Sequence, residues 1–538
     1  MDRRHAASIG GTSASGPVST IPALVADRAR RYPDAVAIAG PTGRVTYAEL
    51  AEQAAEVSRA AIASGLETGD RVGLWAPNSD RWIVTALGML GAGVTLVPIS
   101  TRLKGPEAAD ILARAHAKAV CTVQEFLGND YPGMLAAAGA LPDLEHLILL
   151  DDAPGAAAAG WDTSSWAGFL APGQVIPASA AKDRAAEVLP DSISDILFTS
   201  GTTGAPKGVL ATHRQTLEVF TAWAEAVALR PRDRYLLVNP FSHTFGYKAG
   251  IIACVLCTAT MVPLARFEPD AALRLIESER ISVLAGPPTL FTDLLNSEHA
   301  GHLLGSVRLA GTGGATIPAE LVERVRTELG VPSVFTAYGL TESVGVVSVC
   351  PPGTPTELLA ETVGKPLSGS HIRIVGRDGS NMPPGEPGEI LVKGPNVMLG
   401  YLDDPAATAA VVDANGYLHT GDVGLLGDDG YLRITDRLKD MFIVGGFNAY
   451  PAEIERVLLG HPQIRDVAVV GVPDARLGEV GRAVVVPADP AAADAAAIIE
   501  WSRQRLAGYK VPREVVFTPA LPRNTGGKVL KDRLRDPA

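Results

Sequence analysis

From Thr199 the chain reads Thr-Ser-Gly-Thr-Thr-Gly-Ala-Pro-Lys207-Gly208, a stretch of hydroxyls and glycines closed by one lysine. Thr199, Ser200, Thr202 and Thr203 offer hydroxyl donors, Gly201, Gly204 and Gly208 let backbone N–H groups approach an anion, and Lys207 adds positive charge. That set suits a polyphosphate. A Walker A loop requires Gly-Lys followed by Ser or Thr, whereas Pro206 precedes this lysine and Gly208 follows it, which argues against a P-loop kinase or GTPase. The competing reading is a plain surface turn, because Ser, Thr and Gly gather in turns for their own conformational reasons.

These residues need a frame to hold them. Apolar strand-like runs at 71–75, 86–97, 119–123, 281–285 and 334–337 alternate with alanine-rich helical stretches, which predicts an α/β fold with parallel sheets covered by helices. At 538 residues the chain exceeds a single core. The stretch 151–190, rich in Ala, Gly and Pro around Trp161 and Trp166, reads as a surface excursion. After Tyr401 short strands and turns take over, at 413–416, 428–430 and 431–435, and a boundary is expected near Asp436. Beyond it stand a helix from Pro451 to 459 and strands at 467–472 and 482–486. The expected division is a flexible N-terminus over 1–20, a large multi-subdomain α/β domain over 21–436 and a small α/β lid over 437–538.

The net charge of −12 leaves no basic footprint for nucleic acid or an anionic membrane. Cys121, Cys254, Cys257 and Cys350 are too scattered for a disulfide framework, which fits a cytoplasmic protein. Cys254 and Cys257 lie in the apolar segment 249–260, which reads as a buried helix rather than a zinc site. The apolar run 249–265 is broken by Thr258, Thr260 and Pro263 and is too short to span a bilayer, and no signal peptide is read at the N-terminus.

Downstream of the first loop come Tyr338-Gly-Leu-Thr-Glu342, Thr420-Gly-Asp422, Asp436-Arg-Leu-Lys-Asp440 and Pro522-Arg-Asn-Thr-Gly-Gly-Lys528, in that order. Together with the Ser-Thr-Gly loop they resemble the adenylate-forming superfamily, which includes acyl-CoA synthetases, peptide-synthetase adenylation domains and firefly luciferase. The resemblance implies that a carboxylate attacks the α-phosphorus of ATP, pyrophosphate leaves, and the CoA thiol then displaces AMP. It implies ATP, Mg²⁺ and CoA as cofactors and a small carboxylic acid as substrate. Preorganised cations and N–H dipoles would neutralise the phosphoryl charge.

By the same resemblance Glu342 with Thr203 holds magnesium, and Thr341 meets the α-phosphate. Tyr338 and Gly339 border the adenine, and Gly313, Gly314 and Ala315 line its other face. Asp422 and Arg437 take the ribose, and Lys528 reaches the carboxylate and α-phosphate. Lys439 falls at the hinge on which the lid turns, and Gly445, Gly446 and Phe447 dock near the CoA pantetheine.

The acid would lie along Asn239-Pro-Phe-Ser-His-Thr-Phe-Gly-Tyr-Lys-Ala-Gly250, with His243 as gate and Phe245, Gly246, Tyr247 and Lys248 in the pocket. No aspartate stands between Phe241 and Lys248 to hold an amino acid's ammonium, and no carrier domain follows Lys528, which favours CoA as acceptor. Lys248 suggests a polar or keto-bearing acid, since an unpaired ammonium against alkyl carbon is costly; the other reading has its head in water. The Phe-Gly-Tyr-Lys-Ala-Gly run, with Gly445-Gly-Phe-Asn448 and Leu521-Pro-Arg-Asn524, resembles the actinobacterial CoA ligases of steroid degradation. Their acid, HIP, is a keto-bearing hydrindane propionate, or its 5-hydroxy form. A general medium-chain, alicyclic or aryl acid–CoA ligase and a stand-alone domain loading a carrier protein stay open. So does the oligomeric state, for which a homodimer is compatible.

Overall fold

Apart from 86–97, the apolar runs become inner strands of two large sheets. The computed structural model describes residues 18–40, 43–152, 160–199, 206–297, 304–313, 317–376, 378–437, 440–444, 447–449, 451–474, 477–503, 505–506, 508–524 and 527–535. Among these, one sheet of eight strands runs from Gly400–Tyr401 through Lys207–Thr212, Ile193–Thr199, Thr95–Pro98, Arg71–Trp75 and Ala119–Thr122 to His146–Leu149 and Asp162–Ser164. A second sheet, of nine strands, has Ser333–Tyr338, Leu309–Gly313, Val283–Gly286, Arg234–Leu237 and Thr260–Pro263 side by side in parallel. Helices cover both faces of such strands, so Val72, Leu74 and Trp75 are fully buried in succession rather than alternating. The run 86–97 resolves into the end of the helix Asp80–Gly91 and the strand Thr95–Pro98.

Two expectations need correcting. The stretch 151–190 is not a bare excursion. Its short elements, Asp162–Ser164, Trp166–Leu170, Ala171–Val175 and Ala178–Glu187, lay Phe169 into the core at 3% exposure, and Arg184 donates to the Leu66 carbonyl at 3.3 Å. Thr20, assigned to the N-terminal tail, is buried at 5% exposure, and its hydroxyl accepts from Ala23 N–H to cap the helix Ile21–Arg31.

The segment 249–260 is buried as expected, but it opens as a π-helical turn, Tyr247–Ile252, before the helix Ala253–Cys257. Burial pushes the Cys257 thiol up to about 12, so it stays a protonated packing group. Among the described residues no helix is long and apolar enough to cross a membrane.

The strands His371–Val375, Gly388–Lys393, Leu418–Leu426 and Leu432–Arg437 make an antiparallel sheet of four. A further sheet joins Phe447–Ala449, Phe442–Val444, Gly478–Pro487, Ile464–Asp474 and Glu514–Phe517. The chain passes from one to the other between Arg437 and Phe442. The helix Pro451–Leu458 buries Ile454 and Leu458 in the same core as Val469 and Val485.

Candidate active site

The Ser-Thr-Gly motif is flanked by two antiparallel strands, Ile193–Thr199 and Lys207–Thr212, in a register that sets Thr199 opposite Lys207 and Phe198 opposite Gly208. Ser200, Gly201, Thr202, Thr203 and Gly204 lie outside the described residues. Gly208 is close-packed: a Cβ there would meet Ile196 Cγ2 at 2.9 Å and Phe198 Cζ at 3.1 Å. Lys207 is exposed, and its ammonium stands 4.8 Å from the ring centroid of Tyr401, within cation–π range.

Tyr401 is a residue that sequence reasoning passed over. Its strand pairs with the strand leaving the loop, Val209 opposite Tyr401, and its hydroxyl donates to Glu342 Oε1 at 2.9 Å. Burial first, and the Glu342 carboxylate second, hold its phenol above the ordinary range, so it remains a donor. Glu342 sits in a single 3₁₀ turn, Thr341–Ser343, clamped where Leu340 N–H donates to Ser343 Oγ at 2.8 Å and Met398 N–H donates to the Glu342 carbonyl at 2.9 Å. Lys207, Tyr401 and Glu342 thus converge from three elements. A magnesium ion fits this donor chemistry. Among the described residues no three His, Cys, Asp or Glu cluster, so a metal here would take most of its oxygens from phosphate and water, the habit of magnesium.

Two more predicted residues meet directly. Tyr338, at the end of Ser333–Tyr338, donates its hydroxyl to Asp422 Oδ2 at 2.5 Å, and Asp422 is 3% exposed. Within the strand Leu418–Leu426 Asp422 is fixed by Thr420, whose hydroxyl donates to the Ile390 carbonyl at 2.8 Å and accepts from Asp422 N–H at 3.1 Å. Asp422 lies opposite Arg437 in the sheet register. Gly313 ends the neighbouring strand Leu309–Gly313, with Ala337 its register partner, while Gly314 and Ala315 lie outside the described residues, as do Lys439, Gly445 and Gly446. Phe447 opens the strand Phe447–Ala449.

The segment 239–250, expected to meet the acid, is pinned by Asn78, also unforeseen: its amide donates to the Leu237 and Asn239 carbonyls at 3.1 and 2.8 Å, and its Oδ1 accepts from Phe241 N–H at 3.0 Å. His243 caps the following turn, Nδ1 accepting from Phe245 N–H at 3.2 Å, which leaves Nε2 to carry the proton of the neutral ring. The imidazole reaches solvent, yet the protein packed around it pulls its pKa below the ordinary value. Gly246 is required by contact, since a Cβ would lie 2.2 Å from the Pro240 carbonyl oxygen.

His243 and half-buried Phe245 are therefore reachable, whereas Tyr247 and Lys248 stand behind them in the core. This corrects both readings of Lys248. Its head meets neither open space nor water: Nζ lies 2.9 Å from Asp195 Oδ1, at side-chain exposures of 1% and 0%.

Lys528 is presented by a tight turn, with its N–H donating to Asn524 Oδ1 at 2.9 Å and its carbonyl accepting from Asn524 N–H at 2.8 Å. Arg523 ties that turn to the strand Ile464–Asp474 through Asp466 Oδ2 at 2.6 Å.

The AMP-binding enzyme family matches residues 25–402, and the AMP-binding enzyme C-terminal domain matches 453–528. The chain belongs to the AMP-binding enzyme family. A relative from Mycobacterium tuberculosis, 3-[(3aS,4S,7aS)-7a-methyl-1,5-dioxo-octahydro-1H-inden-4-yl]propanoyl:CoA ligase, is 47% identical over 96% of this chain and 98% of its own. The enzyme of the same name from Rhodococcus jostii is 43% identical over 96% and 98%. ATP-bound MatB from Rhodopseudomonas palustris superposes with a TM-score of 0.82 at 30% identity, covering 96% of this chain and 98% of that one. The o-succinylbenzoate CoA synthetase of Bacillus subtilis, bound to its acyl-adenylate, gives 0.78 at 29% identity over 96% and 98%. Like these members of the AMP-binding family, the protein is an AMP-forming acid–thiol ligase that works with ATP, Mg²⁺ and CoA on a carboxylic acid.

Proposed function

We propose that this ligase activates a ring-bearing propanoate, the 7a-methyl-dioxo-octahydroindenyl propanoate in the names of the two actinobacterial relatives above or its hydroxy form, in the cytoplasm. The observation that carries the reading is 47% and 43% identity with the two over 96% of this chain. In the first half-reaction a carboxylate oxygen bonds the α-phosphorus of ATP and the bond to the β-phosphate breaks, releasing pyrophosphate. In the second the CoA sulfur bonds the acyl carbon, the thiol proton leaves to solvent, and AMP departs.

The chain's own groups divide the work. The 200–205 loop and Lys207 hold phosphates, and Glu342 with Thr203 and Thr341 would hold magnesium and the α-phosphate, where the ion would supply positive charge against the pyrophosphate leaving group. Tyr338, Gly339 and Gly313–315 border the base, and Asp422 and Arg437 take the ribose. His243 and Phe245 face the acid. Residues 437–538 act as a lid turning at Lys439, bringing Lys528 to the carboxylate and then 445–447 to CoA.

Incubation with ATP, magnesium and CoA against HIP, octanoate, cyclohexanecarboxylate, benzoate and ferulate, with products weighed by mass spectrometry, tests the substrate. Preference for HIP by 100-fold or more in kcat/KM is expected. A better turnover of octanoate or ferulate would overturn the assignment and leave a general ligase, and pyrophosphate release without thioester would point to a carrier protein as acceptor. Lys528→Ala should abolish adenylation while sparing thioester formation from supplied acyl-adenylate; equal loss of both would remove Lys528 from its role.

A further inference from the structure

A buried ion pair connects the two halves of the proposed site. Asp195 lies on the strand Ile193–Thr199, which runs straight into the phosphate loop, and Lys248 lies in the π-helical turn Tyr247–Ile252, directly after the acid-facing His243–Gly246. Their charged atoms are 2.9 Å apart and essentially sealed from solvent. Ser194 donates its hydroxyl to Asp195 Oδ2 at 2.7 Å. Tyr247 packs edge-on against Trp82, centroids 5.8 Å apart, and Trp82 packs likewise against Phe241 at 5.1 Å, so the same cluster backs both ends of the acid segment.

A pair this deep is a poor source of stability, since apolar residues of similar volume commonly replace such pairs without loss, but it is directional where apolar packing is not. A π-turn is a further local departure that recurs at functional sites. The ion pair fixes that turn to one strand at one register.

We infer that Asp195 and Lys248 are a positioning pair for adenylation, holding the acid-binding turn at a set separation from the phosphate strand so that the carboxylate meets the α-phosphorus in line. The inference rests on the proposed placement of acid and phosphates, and it gives Lys248 a role without substrate contact. Near-attack geometry is steep in distance, and a misplacement of about 1 Å costs on the order of 100-fold in rate.

The test is the double variant Asp195→Asn/Lys248→Met, which removes both charges together, read by acid-dependent ATP–pyrophosphate exchange, by thioester formation from supplied acyl-adenylate, and by thermal unfolding. The expected result is cooperative unfolding near the wild-type Tm, kcat for adenylation down about 10- to 100-fold, KM for ATP within about 3-fold, and the thioester half-reaction retained. A folded double variant that adenylates at the wild-type rate would overturn the inference, as would equal loss of both half-reactions. Asp195→Glu keeps the charges but lengthens the link by one methylene; it should also lose adenylation about 10-fold, and wild-type kcat in it would equally refute the positioning role, including where the double variant does not fold. Failure of wild-type protein to adenylate any acid would instead remove the functional reading itself.

Discussion

Lys207 and Lys248 bracket the same chemistry and live in opposite surroundings. Lys207 is exposed, with its ammonium over the face of Tyr401, an attraction that costs little desolvation and leaves the charge available to an incoming phosphate. Lys248 is 1% exposed, and its charge is consumed by Asp195. The contrast separates a cation left open to ligand from a cation committed to architecture: what decides is whether a carboxylate of the chain already occupies the ammonium at low dielectric. Glu342 and Asp195 repeat the lesson among the carboxylates. The first carboxylate accepts from one phenol, the second faces a full opposite charge.

Breaking the buried side should cost most. Lys248→Met alone leaves Asp195 charged and unpaired, so chemical denaturation should show a loss of about 3–5 kcal/mol; a loss under about 1 kcal/mol would mean that the pair is open to water. Acid should attack the same region next. His213 is 2% exposed, accepts from Ile21 N–H on Nδ1 at 3.3 Å, and is lowered to about 4 by burial and then by the Lys248 charge. Its folded pKa lies below the unfolded value near 6.5, so the unfolded chain binds the proton first on acidification. The contribution is complete above pH 6.5 and is lost as pH falls toward 4, about 3 kcal/mol in all. Urea midpoints between pH 7 and 4 should follow that slope, and His213→Gln should flatten it. On the open side, Lys207→Met should leave stability within about 0.5 kcal/mol while lowering kcat/KM for ATP about 10- to 100-fold. A stability loss matching that of Lys248→Met would erase the distinction between the two lysines.

That distinction explains what the sequence could and could not reveal. Lys207, Glu342, Asp422 and Lys528 stand in contiguous motifs whose glycines and hydroxyls mark local geometry, and the parallel strands announce themselves as unbroken apolar runs such as 71–75. Asp195, Asn78 and Tyr401 act through partners far away in sequence. Asp195 reads as one acid in a strand, Tyr401 as one aromatic before a turn, and only the pairing of Gly400–Tyr401 against Lys207–Thr212 brings the phenol to Glu342. Lys248 was legible as odd but not as paired, because a single chain does not print which carboxylate a turn will face. The 151–190 stretch was misread for another reason: helices as short as Trp166–Leu170 bury one residue each and leave no period to detect.

The smallest expected effect gives the finest division within the open side. Tyr401 makes two contacts that substitution can separate. Tyr401→Phe removes the hydroxyl that donates to Glu342 and keeps the ring beneath Lys207, whereas Tyr401→Leu removes both. A hydrogen bond to a carboxylate is worth about 1.5–3 kcal/mol, and partial access of water to Glu342 brings this toward the lower end. Tyr401→Phe should therefore raise the magnesium concentration needed for half-maximal ATP binding by about 10- to 15-fold, with a thermal midpoint close to wild type. Nucleotide binding followed by calorimetry across a magnesium titration reads this without turnover. Should Tyr401→Phe shift the thermal midpoint and leave the magnesium dependence untouched, the phenol would belong with Lys248 among the architectural groups, and the boundary between the two regions would run through Glu342 itself.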